Sequence, residues 1–242
     1  MTHFRSHFLI PIFMLISQNS GAAQPPLRPA SQPLSLKIIF LGDSLTEGYG
    51  VPKAKAFPSL VETQLKADGF STAEVINAGI SGSTTASGES RLRWYLKSRP
   101  DIVLVALGGN DGLRGTPVEE TKKNLEKIIL LARKHQIQVL LAGMQMPPNY
   151  GAKYTQQFRG LFYELAQTYH LPMIPFLLEG VAGDPQLNQE DGIHPNETGH
   201  RKIAVRVTLK LERMISKMTT KMTTKMNKSS GDSKGPEKIG TP

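Results

Sequence analysis

A three-layer α/β sandwich around a parallel sheet of about five strands is the fold class the sequence predicts, and two observations carry that prediction. Short apolar runs alternate with amphipathic segments of helical period over residues 36–217, and each run is hydrophobic at nearly every position, not at every second one. Strands of that kind are buried on both faces, the condition of a parallel sheet covered by helices. Alternation of strand and helix then implies right-handed crossovers.

The first run, Leu36 to Leu41, stops on Gly42-Asp43-Ser44, where glycine lets the backbone turn and Asp and Ser favour turns and helix N-termini. Ala56 to Asp68 sets Phe57, Leu60, Val61 and Leu65 at helical spacing and ends at Gly69. Ala73 to Ala78 reads as a strand, and Gly79 to Gly88, rich in Gly, Ser and Thr, as a loop. A helix over Glu89 to Lys97 ends before Pro100. Asp101 to Leu107 is the clearest buried strand and runs into Gly108-Gly109-Asn110-Asp111. Pro117 to His135 opens on proline and an acidic first turn, places Leu125, Ile128, Ile129 and Ala132 on one face, and closes on Arg133 and Lys134, the charge order that suits a helix dipole. Ile137 to Ala142 is a strand, Met144 to Gly151 a loop, Tyr154 to Tyr169 a helix, and Leu171 to Phe176 a short last strand. Thr198 to Lys217 fits both periods, and the alternation before it makes it a closing helix.

The two ends differ from the domain. Residues 1–23 read as a secretory signal: Arg5, an apolar segment from Phe8 to Ile16, then Gly21-Ala22-Ala23 before Gln24. That segment is shorter than the roughly 20 residues a membrane span needs, so an exported, soluble mature protein is expected. Residues 24–35, with four prolines, read as a tether, and residues 218–242 as a disordered basic tail too poor in apolar surface to order itself.

Six lysines from Met214 onward stand against Asp232 and Glu237, so the tail and Arg5 contribute five of the nine units of formal net positive charge. The remainder has no basic stripe interleaved with aromatics, which argues against nucleic acid as a partner. The tail's charge instead points to peripheral contact with an anionic envelope surface. With no cysteine, disulfides, thiol nucleophiles and thiolate metal sites are all excluded.

Four polar clusters remain: Asp43-Ser44, Gly79 to Ser83, Gly108 to Asp111, and Asp191-Gly192-Ile193-His194. Parallel strands present their carboxyl ends on one side, so the first three converge on one sheet edge. Acyl transfer by serine needs a base for the hydroxyl proton, a carboxylate to orient it, and donors for the developing oxyanion. Ser44 suits the first role. His194 is a candidate base because Asp191 precedes it by three residues, letting one turn join carboxylate and imidazole. His135 and His170 end helices, while His200, three residues after Glu197, is not excluded by spacing, although an acidic residue is expected at a helix start in any case. Asn110 and Gly82 are candidate oxyanion donors, through a side-chain and a backbone N–H respectively.

GDSLTEG around Ser44, NAGISG from Asn77 to Gly82, LGGNDGLRG from Leu107 to Gly115 and DGIHPN from Asp191 to Asn196 resemble, in order and spacing, the blocks of the SGNH (GDSL) hydrolases. The exported bacterial thioesterase I, lysophospholipase L1 and arylesterase group is resembled most closely, over about residues 36–213. The resemblance implies Ser44 as nucleophile, His194 as base and Asp191 as its orienting acid. It implies an oxyanion hole from the N–H groups of Ser44 and Gly82 with the Asn110 side chain, and a flavodoxin-like fold with strand order 2-1-3-4-5. It also implies small acyl ester, thioester or lysophospholipid substrates, no metal or cofactor, a periplasmic or secreted location, and an acyl-binding wall that includes Met146 and Pro147. Relatives often carry aspartate after the block-two glycine, where Ser83 stands here. A carbohydrate O-acetyl esterase with the same triad and a non-catalytic binding module on the same fold are the alternatives. Glu47 and Asp111 read as structural, and the glycosylation pattern Asn196-Glu197-Thr198 as coincidence, because a glycan there would crowd His194.

Overall fold

The computed structural model describes residues 36–231, so the expected signal at 1–23 and tether at 24–35 lie outside the described residues. Five parallel strands form one sheet in the order β2-β1-β3-β4-β5: β1 Lys37–Gly42, β2 Glu74–Gly79, β3 Ile102–Ala106, β4 Gln138–Ala142 and β5 Met173–Ile174. This is the order implied by the family resemblance. Every residue of β3 is buried, as the unbroken apolar run required. The expected last strand, 171–176, is only two residues long because Pro172 and Pro175 flank it, and proline has no N–H for the ladder.

Topology distributes the helices. The chain leaves β1 outward to β2 and then reverses across β1 to β3, β4 and β5. Right-handed crossovers in opposite directions place their helices on opposite faces. Accordingly α2, Phe57–Ala67, packs with the closing helix α7, Glu197–Gly231, on one face. On the other, α5, Val118–Lys134, packs between α3, Gly88–Tyr95, and α6, Ala152–Thr168. Two short helices, α1 at Ser44–Glu47 and α4 at Gly109–Leu113, begin just beyond the carboxyl ends of β1 and β3. The reversal point between β1 and β3 is therefore where they start.

The helix α7 runs past the boundary expected at residue 217, to Gly231, and the rest of the expected disordered tail, 232–242, lies outside the described residues. Low apolar content argues against packing, but it does not stop a helix that is already nucleated from propagating. Met and Lys are good helix formers, and the hydroxyls of Thr220 and Thr224 donate to carbonyls four residues back.

At its other end α7 is anchored by His200, which is buried and accepts the Phe57 N–H at its Nδ1 (3.2 Å), tying α7 to the first residue of α2. Burial, with the nearby His194, lowers its pKa from 6.5 to about 4. The folded form thus resists a proton that the unfolded chain accepts. Stability from this group is full above pH 6.5 and is lost as pH falls toward 4. Unfolding by urea at pH 7 and pH 4 should show wild type losing up to about 3 kcal/mol more than His200→Gln on acidification. Parallel losses in the two proteins would refute this.

Candidate active site

Strand register assembles the site. Gly42 pairs with Gly79 on one side and Ala106 on the other, so the segments leaving β1, β2 and β3 start level with one another. From that row the chain reaches Ser44 two residues on, Gly82 three residues after Gly79, and Asn110 four residues after Ala106. The approach is close: a Cβ on Gly79 would overlap the backbone of Thr46 and Glu47. Glycine at 79 is therefore what lets α1 sit on the end of β2.

Asp43 caps α1, its Oδ1 accepting the Leu45 N–H at 3.1 Å. Ser44 follows as the first helical residue and is half-buried. His194 arrives on the loop before α7. Its Nε2 lies 2.9 Å from Ser44 Oγ, and its Nδ1 lies 2.6 Å from Asp191 Oδ2. The other Asp191 oxygen accepts the N–H groups of Ile193 and His194, both at 2.9 Å. The His194 N–H, then the imidazole and the Ile193 N–H, hold the Asp191 carboxyl at about 2, below the usual 3.8. An ionised carboxylate only accepts, so Nδ1 carries the hydrogen and Nε2 is left to accept from the serine hydroxyl.

Gly82 adopts a left-handed backbone, φ +75°, in the turn closed by Ser83 N–H to Ile80 O at 3.1 Å. Arg114 steadies it by donating to the Gly82 carbonyl at 3.0 Å. Asn110 spends one side-chain N–H on the Ser83 carbonyl at 3.0 Å, which orients the amide and leaves its second N–H to donate. Glu47 braces the same turn, accepting the Ser81 N–H (2.7 Å) and hydroxyl (2.5 Å). Asp111 is buried and accepts the N–H and hydroxyl of Thr85 at 2.9 and 2.5 Å. Both carboxylates have the structural role expected of them.

The remaining candidates fall as follows. Met146 is half-buried against α4, where a Cβ on Gly112 would overlap its thioether, while Pro147 is exposed. Tyr150 ties this loop to α4 by donating to the Leu113 carbonyl at 3.1 Å. His135 and His170 are exposed at helix ends, and His200 is occupied with Phe57. Asn196 caps α7, its Oδ1 accepting from Thr198 and Gly199 at 2.9 and 3.1 Å. Its place in a glycosylation-like triplet follows from that cap.

Three residues escaped the sequence reading. Gln189 donates through Nε2 to the carbonyls of Tyr49 (2.7 Å) and Pro195 (3.0 Å), stapling the loop after α1 to the His194 loop. Tyr49 lays its ring beside His194, centroids 4.7 Å apart. Arg91 reaches from α3 beneath the site to donate to the carbonyls of Gly42, at 2.9 Å, and Ala78. None carries a local signal, since each makes a contact that spans more than ten residues of sequence.

A five-stranded flavodoxin-like sheet bearing a hydrogen-bonded serine, histidine and aspartate at its switch point defines the class of the molecule. The chain belongs to the GDSL-like lipase/acylhydrolase family, whose model matches residues 40–202. It is 40% identical to an arylesterase of Vibrio mimicus, over 76% of this chain and 92% of that one. It is 37% identical to thioesterase 1/protease 1/lysophospholipase L1 of Escherichia coli K12, over 88% of this chain and 95% of the relative. Among solved structures, the psychrotrophic esterase EstA of a Pseudoalteromonas species, inhibited by monoethylphosphonate, superposes with a TM-score of 0.70 at 30% identity, over 74% of this chain and 98% of that one.

Asp43 adds a testable cost. Burial raises its carboxyl from 3.8 to about 6, against the lowering effect of the Leu45 N–H, His194 and Arg91. A raised folded pKa means the native state binds the proton more tightly. Stability falls as pH rises from 3.8 through 6, and the charge is a burden at pH 7. Asp43→Asn keeps a capping oxygen and removes the charge. It should raise unfolding free energy at pH 7.5 by about 1–3 kcal/mol over wild type, with the difference vanishing near pH 4. A destabilised variant at pH 7.5 would show that the charge is compensated by Arg91.

Proposed function

We propose that the protein is a serine hydrolase that cleaves carboxylic ester and thioester bonds of acyl substrates through an acyl-enzyme on Ser44. The observation that carries this reading is the continuous hydrogen-bonded series from Asp191 through His194 to Ser44 Oγ, at 2.6 and 2.9 Å. Family membership and the names of the relatives support it.

In the first half-reaction Ser44 Oγ attacks the carbonyl carbon as His194 Nε2 takes the hydroxyl proton. Asp191 holds the imidazole in the required tautomer and offsets the charge it gains. The oxyanion is received by the Ser44 and Gly82 N–H groups and the second Asn110 side-chain N–H. The two backbone N–H groups have no partner within the described residues, which supports this assignment. Collapse of the intermediate expels an alkoxide or thiolate that takes the proton from Nε2. Water then attacks the acyl-serine with His194 again as base, and a carboxylic acid leaves.

The acyl chain is assigned to the side of the site carrying Met146 and Pro147. Methionine is flexible and polarizable, suited to chains of differing length. Export rests on the reading of residues 1–23. Among the described residues no helix is long and apolar enough to cross a membrane.

Rates on p-nitrophenyl esters from acetyl to palmitoyl test the reading. Ser44→Ala should lower kcat by at least about 10³-fold and Asp191→Asn by about 10²–10⁴-fold. Equal rates in wild type and Ser44→Ala would sink the mechanism. Activity confined to acetyl would move the assignment to an O-acetyl esterase. Met146→Asp should depress the decanoyl rate relative to the acetyl rate, and an unchanged ratio would remove Met146 from the acyl wall.

A further inference from the structure

Tyr49 is large, aromatic and exposed beside the imidazole that the reaction uses, yet the steps above assign it nothing. Its N–H donates to the Ser44 carbonyl at 3.1 Å, and its ring plane is tilted 44° to that of His194 with centroids 4.7 Å apart. Even so, 53% of the residue is open to solvent, as is 51% of Ile193, the neighbour of His194 in the chain.

The backbone that carries this ring is held in place. Gln189 fixes the Tyr49 carbonyl to that of Pro195, and its own N–H donates to the His194 carbonyl at 2.8 Å. Gly50 sits so close that a Cβ there would overlap the Gln189 amide. One side chain therefore sets the spacing between Tyr49 and the His194 loop, so a ligand stacking on Tyr49 would meet a surface already ordered.

The path of the proton decides what lies there. On the Ser44–His194 reading, Nε2 delivers its proton to the leaving atom, so the leaving group must stand on the His194 side of Ser44. Two of the three oxyanion donors, Gly82 and Asn110, belong to the segments after β2 and β3, which carry their own exposed apolar residues, Ile80 and Leu113. Tyr49, packed against the His194 ring, is thus on the side of the leaving group.

We propose that Tyr49 forms the leaving-group subsite and takes a planar aromatic leaving group, a phenol or naphthol, against its exposed ring. Offset or edge-to-face pairing favours such a ring over an alkyl group of like size. The aryl–oxygen bond stays intact: the acyl carbon–oxygen bond breaks, and the aryloxide leaves with the proton from Nε2.

The test holds the acyl group constant, so that deacylation is common and kcat/KM reports acylation. On the full chain, kcat/KM is measured for 2-naphthyl acetate and for trifluoroethyl acetate. The naphthyl-to-trifluoroethyl ratio should fall about tenfold in Tyr49→Ala and in Tyr49→Leu, and should be retained in Tyr49→Phe. An unchanged ratio in the Ala and Leu variants, whatever the absolute rates, overturns the proposal and leaves Tyr49 as a support for His194. Ser44→Ala is assayed alongside. Wild-type rates in that variant would instead bring down the serine reading on which the proposal rests, an outcome separate from an unchanged ratio.

Discussion

The row Gly79, Gly42, Ala106 across β2, β1 and β3 is the constraint on which the site depends. Three segments leave the sheet from neighbouring positions, and they reach a common point only because side chains there are absent or small. At Gly79 the backbone of Glu47 occupies the space a Cβ would need, and at Gly42 the Thr46 side chain does. A parallel sheet brings carboxyl ends to one edge by topology. Local crowding then determines whether a serine, a glycine amide and an asparagine amide meet within hydrogen-bond range of one small group.

Two buried titratable groups, Asp43 and His200, act in opposite senses. Asp43 is buried and prefers its proton, whereas His200, also buried, refuses one. Over roughly the same pH interval acidification relieves the first and penalises the second. Net stability of the whole protein therefore conceals both. Retention of a buried carboxylate next to Ser44 has a structural return in the cap of α1, and its charge faces the imidazole that becomes cationic during the proposed reaction.

Hydrogen bonds that cross the chain hold the parts together. Gln189 spans 140 residues to Tyr49, Ser44 and His194 are 150 apart, and Phe57 and His200 are 143 apart. Each joins the first β-α unit to the last loop or helix. Through them the closing segment, which among the described residues adds no strand after β5, is fixed against the beginning of the domain.

Much was legible in the sequence because it is local. Short apolar runs marked β1, β3 and β4, since a strand buried on both faces leaves little room for a polar residue, whereas the edge strand β2 exposes Glu74 and Asn77. Asp191 and His194 were readable as a pair because three residues separate them, and Ser44 because a turn-forming Gly-Asp precedes it. The tail showed where such reading stops: composition argued against order in 218–231, but helix propagation depends on the turn before it, which composition does not record. The positions of Tyr49, Gln189 and Arg91 were decided only by tertiary structure, as was the engagement of His200, which spacing had not excluded, with Phe57. Those roles are set by contacts across the sheet edge, where the geometry of three crossovers, and no spacing along the chain, determines which atoms lie within reach.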